Sequence, residues 1–501
     1  MEVASALDVW QGLLRGEGIR TRDAVLSLTA LGLVLIAVTA VYYPTLDDAF
    51  HGDDFVAFTE FKTKSFFDYS RDVFLFKSAN FYWRPLGNIF HYVLYSGFGL
   101  DPFVFRLAAL ITFLATLVGL YLFCLGERLG RITALGSAMI FGLLPNHVVS
   151  VTWVTNTSRL MSAFFVVVCL LLIQRARGSR FALAWEGLAF LAFVIAALND
   201  ETTTALAPVP FLYGTFVARR DFRWRGALAR LVFYVAVVCV IVPLQFEYTI
   251  DDEARLTQYG FGPHILTSVW VLASQLSLPL AAGSPVAVMI HLVSPVQWAA
   301  GLVTLAACAI LFLTGSRQAR FLVLWLAFSF APFALWEPQN ISPRYVYLAA
   351  MPFAILVSWV GVTAVSSLMR LIPASLPGKS ARAVLALAAA TAVLYGSLIS
   401  IQAVENRNAA WSRETARYGV LRAALEKEFP TLPDGTRVIV FYGEWPDFWA
   451  SSVARAIYGD RSLWVTSIPR ARVDQVQLIA GGNDLVVYLL RDRLMPVNSR
   501  R

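Results

Sequence analysis

The sequence has 501 residues, of which 58% are hydrophobic and only 15% charged, with a formal net charge of +8. A soluble core of this size would leave too few polar residues to cover it, so the composition excludes a soluble globular protein and predicts a polytopic membrane protein. The basic residues form short clusters between apolar runs, which excludes a nucleic acid as their partner. The four cysteines lie inside apolar runs and predict neither a disulfide framework nor a zinc site.

The first apolar run covers residues 24–41 and follows a segment with three arginines. It is long enough to span a bilayer and no clean cleavage site follows it, so we predict a retained first helix with a cytoplasmic N-terminus. Residues 44–102 then form a long, aromatic-rich first external loop, in which residues 89–95 suit a helix lying in the membrane interface.

Apolar runs recur along the rest of the first 401 residues, and residues 264–294 are the ambiguous stretch because prolines and glycines interrupt them. If this stretch crossed the membrane, the basic clusters after it would move to the outer side and break the positive-inside bias. We therefore predict about eleven spans, with the N-terminus cytoplasmic and the C-terminus extracytoplasmic. The predicted spans are 24–41, 103–125, 132–144, 160–173, 181–198, 202–217, one ending near 246, 296–314, 321–336, 345–368 and 383–401.

Residues 402–501 differ in composition from the membrane part, because charged residues become frequent there. A helix-like stretch is followed by predicted strands at 438–442, 463–467 and 484–490, with predicted helices at 448–457 and 473–479. This alternation predicts a small C-terminal α/β module beside a transmembrane domain of residues 1–401.

A cluster of carboxylates follows the first span directly, in a loop that Pro44 and Gly52 separate from the helix. Asp53 and Asp54 are its last acidic residues. Carboxylates held at a membrane surface can act as a catalytic base, and we interpret them as the base of a glycosyl transfer from a lipid-linked sugar. The alternative is a solvated acidic turn that only helps to fix the topology.

Further polar residues lie at span ends that the predicted topology places on the same side as this loop. Ionisable groups at such positions are costly unless they face a cavity or one another, so they are candidates for a site. Each also has a structural alternative: an arginine at the membrane interface, a histidine bonded to backbone, or a solvated turn. These residues are Arg84, His91, His147, Arg159, Asp200, Glu201 and Arg344.

Four motifs in order resemble the GT-C glycosyltransferases, most of all the protein O-mannosyltransferases and those O-mannosyltransferases that carry tetratricopeptide repeats. The resemblance covers roughly residues 24–370. Two departures are Asp200, where the family has lysine, and Pro343, where it has glutamate; no repeat array follows the membrane part. The motifs are His51-Gly52-Asp53-Asp54-Phe55 with Arg84-Pro85-Leu86, the segment 144–154 with Arg159-Leu160, Asn199-Asp200-Glu201, and Ser342-Pro343-Arg344-Tyr345.

The resemblance implies a polyprenyl-phosphate sugar as donor, with the lipid tail in the bilayer, and inversion at the anomeric carbon. Asp53 or Asp54 would deprotonate the acceptor hydroxyl. Arginine suits the phosphate leaving group because it forms paired charge-assisted hydrogen bonds; Arg344, Arg159 and Arg84 are the candidates. The residues expected to position the acceptor or substrate are Glu201, Asp200, His147 and His91.

The resemblance implies no required cofactor; a divalent cation held by Asp53, His147 and Glu201 is the less favoured alternative. The expected location is a bacterial inner membrane, and the acceptor is a protein, lipid or polysaccharide. A flippase for lipid-linked sugars is the main alternative function, although a transporter should show internal repeats and discontinuous spans near mid-membrane. A non-catalytic scaffold is the third interpretation.

Overall fold

The structure is a computed structural model that describes residues 21–77, 83–218, 224–249, 260–278, 293–372, 376–431, 437–441, 447–459, 464–467, 484–490 and 493–496. Long apolar helices dominate it, because every backbone polar group in a bilayer must be satisfied within the chain and a helix does this within one segment. Among the described residues, eight helices are long and apolar enough to cross a membrane, or nine if one bent pair forms a single span. The protein is an integral membrane protein.

The helices of the membrane part are mostly separated by short turns. Large apolar side chains such as Ile36 and Leu183 are 66% and 86% exposed, as expected for residues that face lipid. The helices are α1 (Thr21–Tyr42), α2 (Gly52–Phe58), α3 (Phe66–Phe74), α4 (Pro85–Phe98), α5 (Pro102–Gly126), α6 (Arg131–Gly142), α7 (Val148–Thr152), α8 (Thr157–Ala176), α9 (Ala182–Asn199), α10 (Pro208–Leu212), α11 (Trp224–Thr249), α12 (His264–Ser277), α13 (Pro295–Thr314), α14 (Arg317–Ala334), α15 (Tyr347–Leu371), α16 (Leu376–Glu428) and α17 (Asp447–Tyr458).

Two of the predicted spans differ from single straight helices. The predicted span 202–217 consists of the 3-10 helix Glu201–Leu206, α10 and the π-helix Tyr213–Val217, because Pro208 and Pro210 lack the backbone N–H that a continuous helix needs. The predicted span 132–144 is α6, which is bent by 49° from the helical segment Pro145–Thr152. The total of eleven spans stays a prediction.

The C-terminal residues contain a small sheet, as the alternating pattern predicts. Its strands are β1 (Arg437–Phe441), β2 (Trp464–Ser467), β3 (Asp484–Leu490) and β4 (Arg493–Pro496), in the order β2-β1-β3-β4. β1 lies parallel to β2 and β3, whereas β4 runs antiparallel to β3. β4 was not predicted, and the predicted helix 473–479 lies outside the described residues.

The chain divides into two compact units that interleave along the sequence. The first comprises Met1–Tyr43, Leu110–Val151 and Arg159–Asn408, and the second comprises Pro44–Ala109, Thr152–Ser158 and Ala409–Arg501. The predicted boundary between residues 401 and 402 lies inside α16, as does the boundary between the two units at Asn408 and Ala409. The long first external loop therefore belongs to the same unit as the C-terminal module.

Candidate active site

The carboxylates Asp53 and Asp54 lie in the first turn of α2, in the second unit. The helix begins where Gly52 follows an extended His51, and Asp54 at its third position folds back as a capping residue. One Asp54 oxygen accepts a hydrogen bond from the backbone N–H of His51 at 2.9 Å, and the other accepts from the N–H of Thr155 at 2.8 Å. Asp54 therefore ties α2 to the segment 152–158.

The two carboxylates have different surroundings. Asp54 is completely buried, whereas Asp53 is partly exposed. Burial raises the pKa of Asp54 from 3.8 to about 7, although the two backbone N–H groups and the positive charge of Arg106 oppose the shift. Neighbouring carboxylates in different environments can take different roles, so Asp54 fits a structural role and Asp53 is the one that a substrate can reach.

Arg106 holds the backbone of this loop, and sequence reasoning missed it because it lies inside a predicted span. Its guanidinium is 1% exposed. It donates to the carbonyl oxygens of Thr45 at 2.9 Å, Ala49 at 2.6 Å and Thr152 at 3.0 Å, and also to that of Asp48. A buried cation that satisfies four carbonyls fixes the path of the loop before Asp53. The one signal in the sequence was a charged residue near the start of an apolar helix.

An aromatic cage surrounds His51, the residue that precedes α2. Its ring stacks on Trp411 with a centroid distance of 5.2 Å and contacts Trp153 at 4.6 Å and Tyr418 at 5.2 Å. Trp411 is completely buried. The cage holds the N-terminal end of α2 from two further segments of the same unit.

α17 of the C-terminal module packs against the other end of α2. Val453 and Ala454 are buried in one cluster with Phe55 and Phe58. The Lys62 ammonium donates to the carbonyl of Ile457 at 2.7 Å. Within this unit, the module supports the helix that carries the two carboxylates.

Arg84 and His91, the other predicted site residues of this unit, differ in accessibility. Arg84 is partly exposed and occupies the N-cap position of α4, without a side-chain capping hydrogen bond. His91 is 2% exposed and lies against Phe90 and Phe105. Burial lowers the pKa of His91 to about 4, so it is a neutral core histidine. Its role in positioning substrate stays a prediction.

In the first unit, Arg159 and Asp200 form a buried ion pair. The Nε of Arg159 lies 2.6 Å from an Asp200 oxygen, and the side chains are 4% and 0% exposed. The other Asp200 oxygen accepts hydrogen bonds from the backbone N–H and the hydroxyl of Thr202, at 2.9 and 2.6 Å. Asp200 therefore neutralises Arg159. The predicted roles of Asp200 in positioning substrate and of Arg159 in binding phosphate stay predictions.

Arg344 and Glu201 are the accessible charged residues of this unit among those predicted. Arg344 lies in the 3-10 turn Pro343–Val346, is partly exposed, and its guanidinium donates to the hydroxyl of Tyr345 at 3.3 Å. The Tyr345 ring stacks on Phe333 at 4.5 Å, and the guanidinium of Arg159 lies 5.6 Å from both ring centroids. Glu201 begins the 3-10 helix Glu201–Leu206 and is partly exposed.

His147 is a core residue packed among aromatic rings, which differs from the backbone-bonded histidine that the sequence offered as the alternative. It is completely buried, with Phe141 at 4.5 Å, Tyr347 at 4.8 Å and Phe113 at 5.7 Å between ring centroids. Its role in positioning substrate stays a prediction. No group of three or more His, Cys, Asp or Glu side chains that could hold a metal ion occurs in the part of the chain that the structure describes.

No protein-family model and no curated protein sequence matches the chain, but solved structures do. ArnT from Cupriavidus metallidurans in the apo state has 14% identity over 92% of this chain and 93% of its own, with a TM-score of 0.51. The oligosaccharyltransferase AglB from Archaeoglobus fulgidus, in complex with an inhibitory peptide and a dolichol-phosphate, has 14% identity over 87% of this chain and a TM-score of 0.54. The chain spans 64% of that protein's length.

The chain has a GT-C fold. This confirms the fold class predicted from the motifs, and the low sequence identity means that the likeness shows the fold alone. The finer resemblance to O-mannosyltransferases stays a prediction. Within this GT-C fold, the second unit contributes a carboxylate turn held by Arg106, and the first contributes the turn of Arg344 beside the Arg159–Asp200 pair.

Proposed function

We propose that the protein is a membrane glycosyltransferase that moves a sugar from a polyprenyl-phosphate carrier to an acceptor hydroxyl. The observation that carries the proposal is the pair of unequal carboxylates at the start of α2, one buried as a cap and one partly exposed. The GT-C fold supports it, since one protein of that fold, AglB, binds a dolichol-phosphate. The reaction takes place on the extracytoplasmic face, in a bacterial inner membrane.

Asp53 is the base in this proposal. Its carboxylate takes the proton of the acceptor hydroxyl while the oxygen attacks the anomeric carbon, and the carrier phosphate leaves from the opposite face, which inverts the centre. Asp54 positions Asp53, because its two backbone hydrogen bonds fix the first turn of α2. A single base suffices, since the phosphate leaves without a proton, whereas a glycosidase needs a second carboxylic acid for its leaving oxygen.

Arg344 is the principal group for the donor phosphate. A partly exposed guanidinium can offer two parallel N–H donors to phosphate oxygens and stabilise the charge that develops on them. Arg159 assists Arg344, because the guanidinium groups of both residues lie over the ring of Tyr345. Arg84 is the candidate phosphate-binding residue in the second unit. Glu201 orients the acceptor hydroxyl. The donor sugar is a hexose, as the resemblance to O-mannosyltransferases implies.

The proposal is tested by sugar transfer in purified protein reconstituted into lipid. Labelled polyprenyl-phosphate hexoses are supplied with water or an envelope extract as acceptor. We expect Asp53→Asn to lower turnover by about 100-fold or more, because an amide cannot take the proton. The matched control is Asp47→Asn, which changes an exposed aspartate of the same loop and should keep wild-type turnover.

Equal turnover in the wild type and Asp53→Asn would refute the role of Asp53. Movement of the labelled lipid between leaflets without any transfer would identify a flippase, the alternative function.

A further inference from the structure

Buried polar atoms with unused hydrogen-bonding capacity surround the turn that carries Arg344. Ser342, Gln275 and Arg159 are 3%, 2% and 3% exposed. Among the described residues, the Ser342 hydroxyl, both amide atoms of Gln275 and the NH1 of Arg159 have no hydrogen-bond partner. Buried polar groups are almost always paired, because an unpaired amide in an apolar environment costs free energy. Several such groups around one turn indicate a place where a polar ligand can bind.

The helix that carries Gln275 contacts the turn that follows Ser342 within the first unit. α12, which carries Gln275 near its end, packs against the turn Pro343–Val346, and so does the turn Pro145–His147. Asn146 of that second turn donates to the backbone carbonyl of Gln275 at 2.8 Å. Arg159 lies over the ring of Tyr345.

The chemistry of the unused groups distinguishes a sugar from a bare phosphate. Phosphate oxygens only accept hydrogen bonds, so they can satisfy the N–H groups of Arg159 and Gln275 but not the amide oxygen of Gln275. That oxygen needs a donor, and a hydroxyl group both donates and accepts. We propose that Gln275, with Ser342, binds hydroxyl groups of the donor sugar and sets the sugar preference of the enzyme. This inference rests on the proposed function.

Gln297 shows that the unused amide is a property of the site and not of glutamine in this bundle. It lies on the neighbouring helix α13 and is 6% exposed. Its amide oxygen accepts from the N–H of Ser294 at 2.8 Å, and its amide nitrogen donates to the carbonyl of Leu278 at 3.1 Å. Among the described residues, both side-chain amide atoms of Gln297 have a hydrogen-bond partner, whereas neither of those of Gln275 does.

The experiment compares the thermal stabilisation of purified protein by polyprenyl phosphate alone and by polyprenyl-phosphate mannose, glucose and galactose. In the wild type, we expect at least one sugar-bearing lipid to bind more tightly than the bare lipid. Gln275→Leu should lower the affinity for that lipid about tenfold, the usual value of one or two hydrogen bonds, and leave binding of the bare lipid unchanged. Ser342→Ala should act in the same direction.

Stability without lipid supplies an independent readout. Gln275→Leu removes an unpaired amide, so the unfolding temperature of this variant should equal or exceed that of the wild type. The control Gln297→Leu breaks two hydrogen bonds and should unfold at a lower temperature. The control should keep the wild-type preference for the sugar-bearing lipid. A Gln275→Leu protein that keeps the wild-type preference would overturn the inference and leave the proposed function intact. A wild type that binds none of the lipids would overturn both.

Discussion

Asp53 and Asp54 are adjacent in the chain, yet their surroundings differ at the scale of single atoms. Both oxygens of Asp54 accept backbone hydrogen bonds inside the protein, and Asp53 projects from the same turn with part of its surface exposed. The sequence predicted that one of the two is the base and left the choice open. The burial of Asp54 favours Asp53, because a carboxylate closed off from substrate cannot take its proton.

The raised pKa of Asp54 makes a prediction about pH. The pKa of Asp54 is about 7, so protonation below that value places a hydrogen on one oxygen and removes an acceptor from either His51 or Thr155. Turnover should therefore fall as the pH decreases through about 7. Asp54→Asn should lower turnover about tenfold and flatten this limb, which a pH profile of transfer would measure.

The raised pKa of Asp54 also determines whether this residue makes the folded protein more or less stable as the pH rises. Because the pKa of Asp54 is raised on folding, its contribution to stability is fully present below 3.8 and is lost as the pH rises through about 7. The difference in unfolding temperature between the uncharged variant Asp54→Asn and the wild type should therefore shift in favour of the variant as the pH rises from 5 to 8. A constant difference between the two proteins over that range would contradict the assignment.

The contact between Arg159 and Asp200 changes how each of the two residues is interpreted. Taken singly in the sequence, one is a phosphate ligand and the other a substrate-positioning acid. At 2.6 Å they neutralise each other, and a buried pair of this kind is costly to separate because the remaining charge would be unpaired. The forty-residue gap between them contains a complete turn and helix, so no local pattern could have indicated the contact.

At the scale of elements, Arg106 joins the start of α5 to the loop before Asp53 and to Thr152. Arg106→Met should leave buried carbonyls without a donor and destabilise the protein by about 3 kcal/mol or more, measured by thermal unfolding. Loss of its positive charge should also raise the pKa of Asp54 and move the acid limb of activity to higher pH.

Arg422→Ala is the matched control for this prediction. Arg422 also donates to a backbone carbonyl, that of Leu100 at 2.8 Å, but its side chain is 23% exposed. Its loss should cost no more than about 1 kcal/mol and should leave the pH profile unchanged. An Arg106→Met protein as stable as the Arg422→Ala protein would show that the carbonyl contacts do not hold the loop.

At the scale of the whole molecule, the topology depends on residues 264–294. α12 has 14 residues, and at 1.5 Å a residue it is about 21 Å long, too short for a hydrocarbon core of about 30 Å. It packs against α13. We expect the segment to begin and end on the same side of the membrane, which keeps the N-terminus cytoplasmic and the C-terminus extracytoplasmic.

Cysteine labelling tests this topology in a protein whose four native cysteines are replaced. Phe261→Cys and Val296→Cys, both at exposed positions, should react with a membrane-impermeant maleimide added to intact cells. Arg180→Cys, which the positive-inside rule places in the cytoplasm, should react only after lysis. Labelling of only one of the first two positions in intact cells would show that the segment crosses the membrane.

The sequence by itself determined the class of protein, most helix positions, three of the four strands in the described residues and the acidic turn, because these follow from apolar runs, period-two alternation and turn-forming residues. It also indicated the GT-C fold through four ordered motifs. Only the tertiary structure decided which polar residues act together. His91 and His147 are core residues, Arg159 is neutralised by Asp200, and Arg106 holds the loop. The ion pair of Arg159 with Asp200 and the hydrogen bonds of Arg106 join residues far apart in the chain. Burial and charge pairing between such residues leave no periodic pattern in a single sequence.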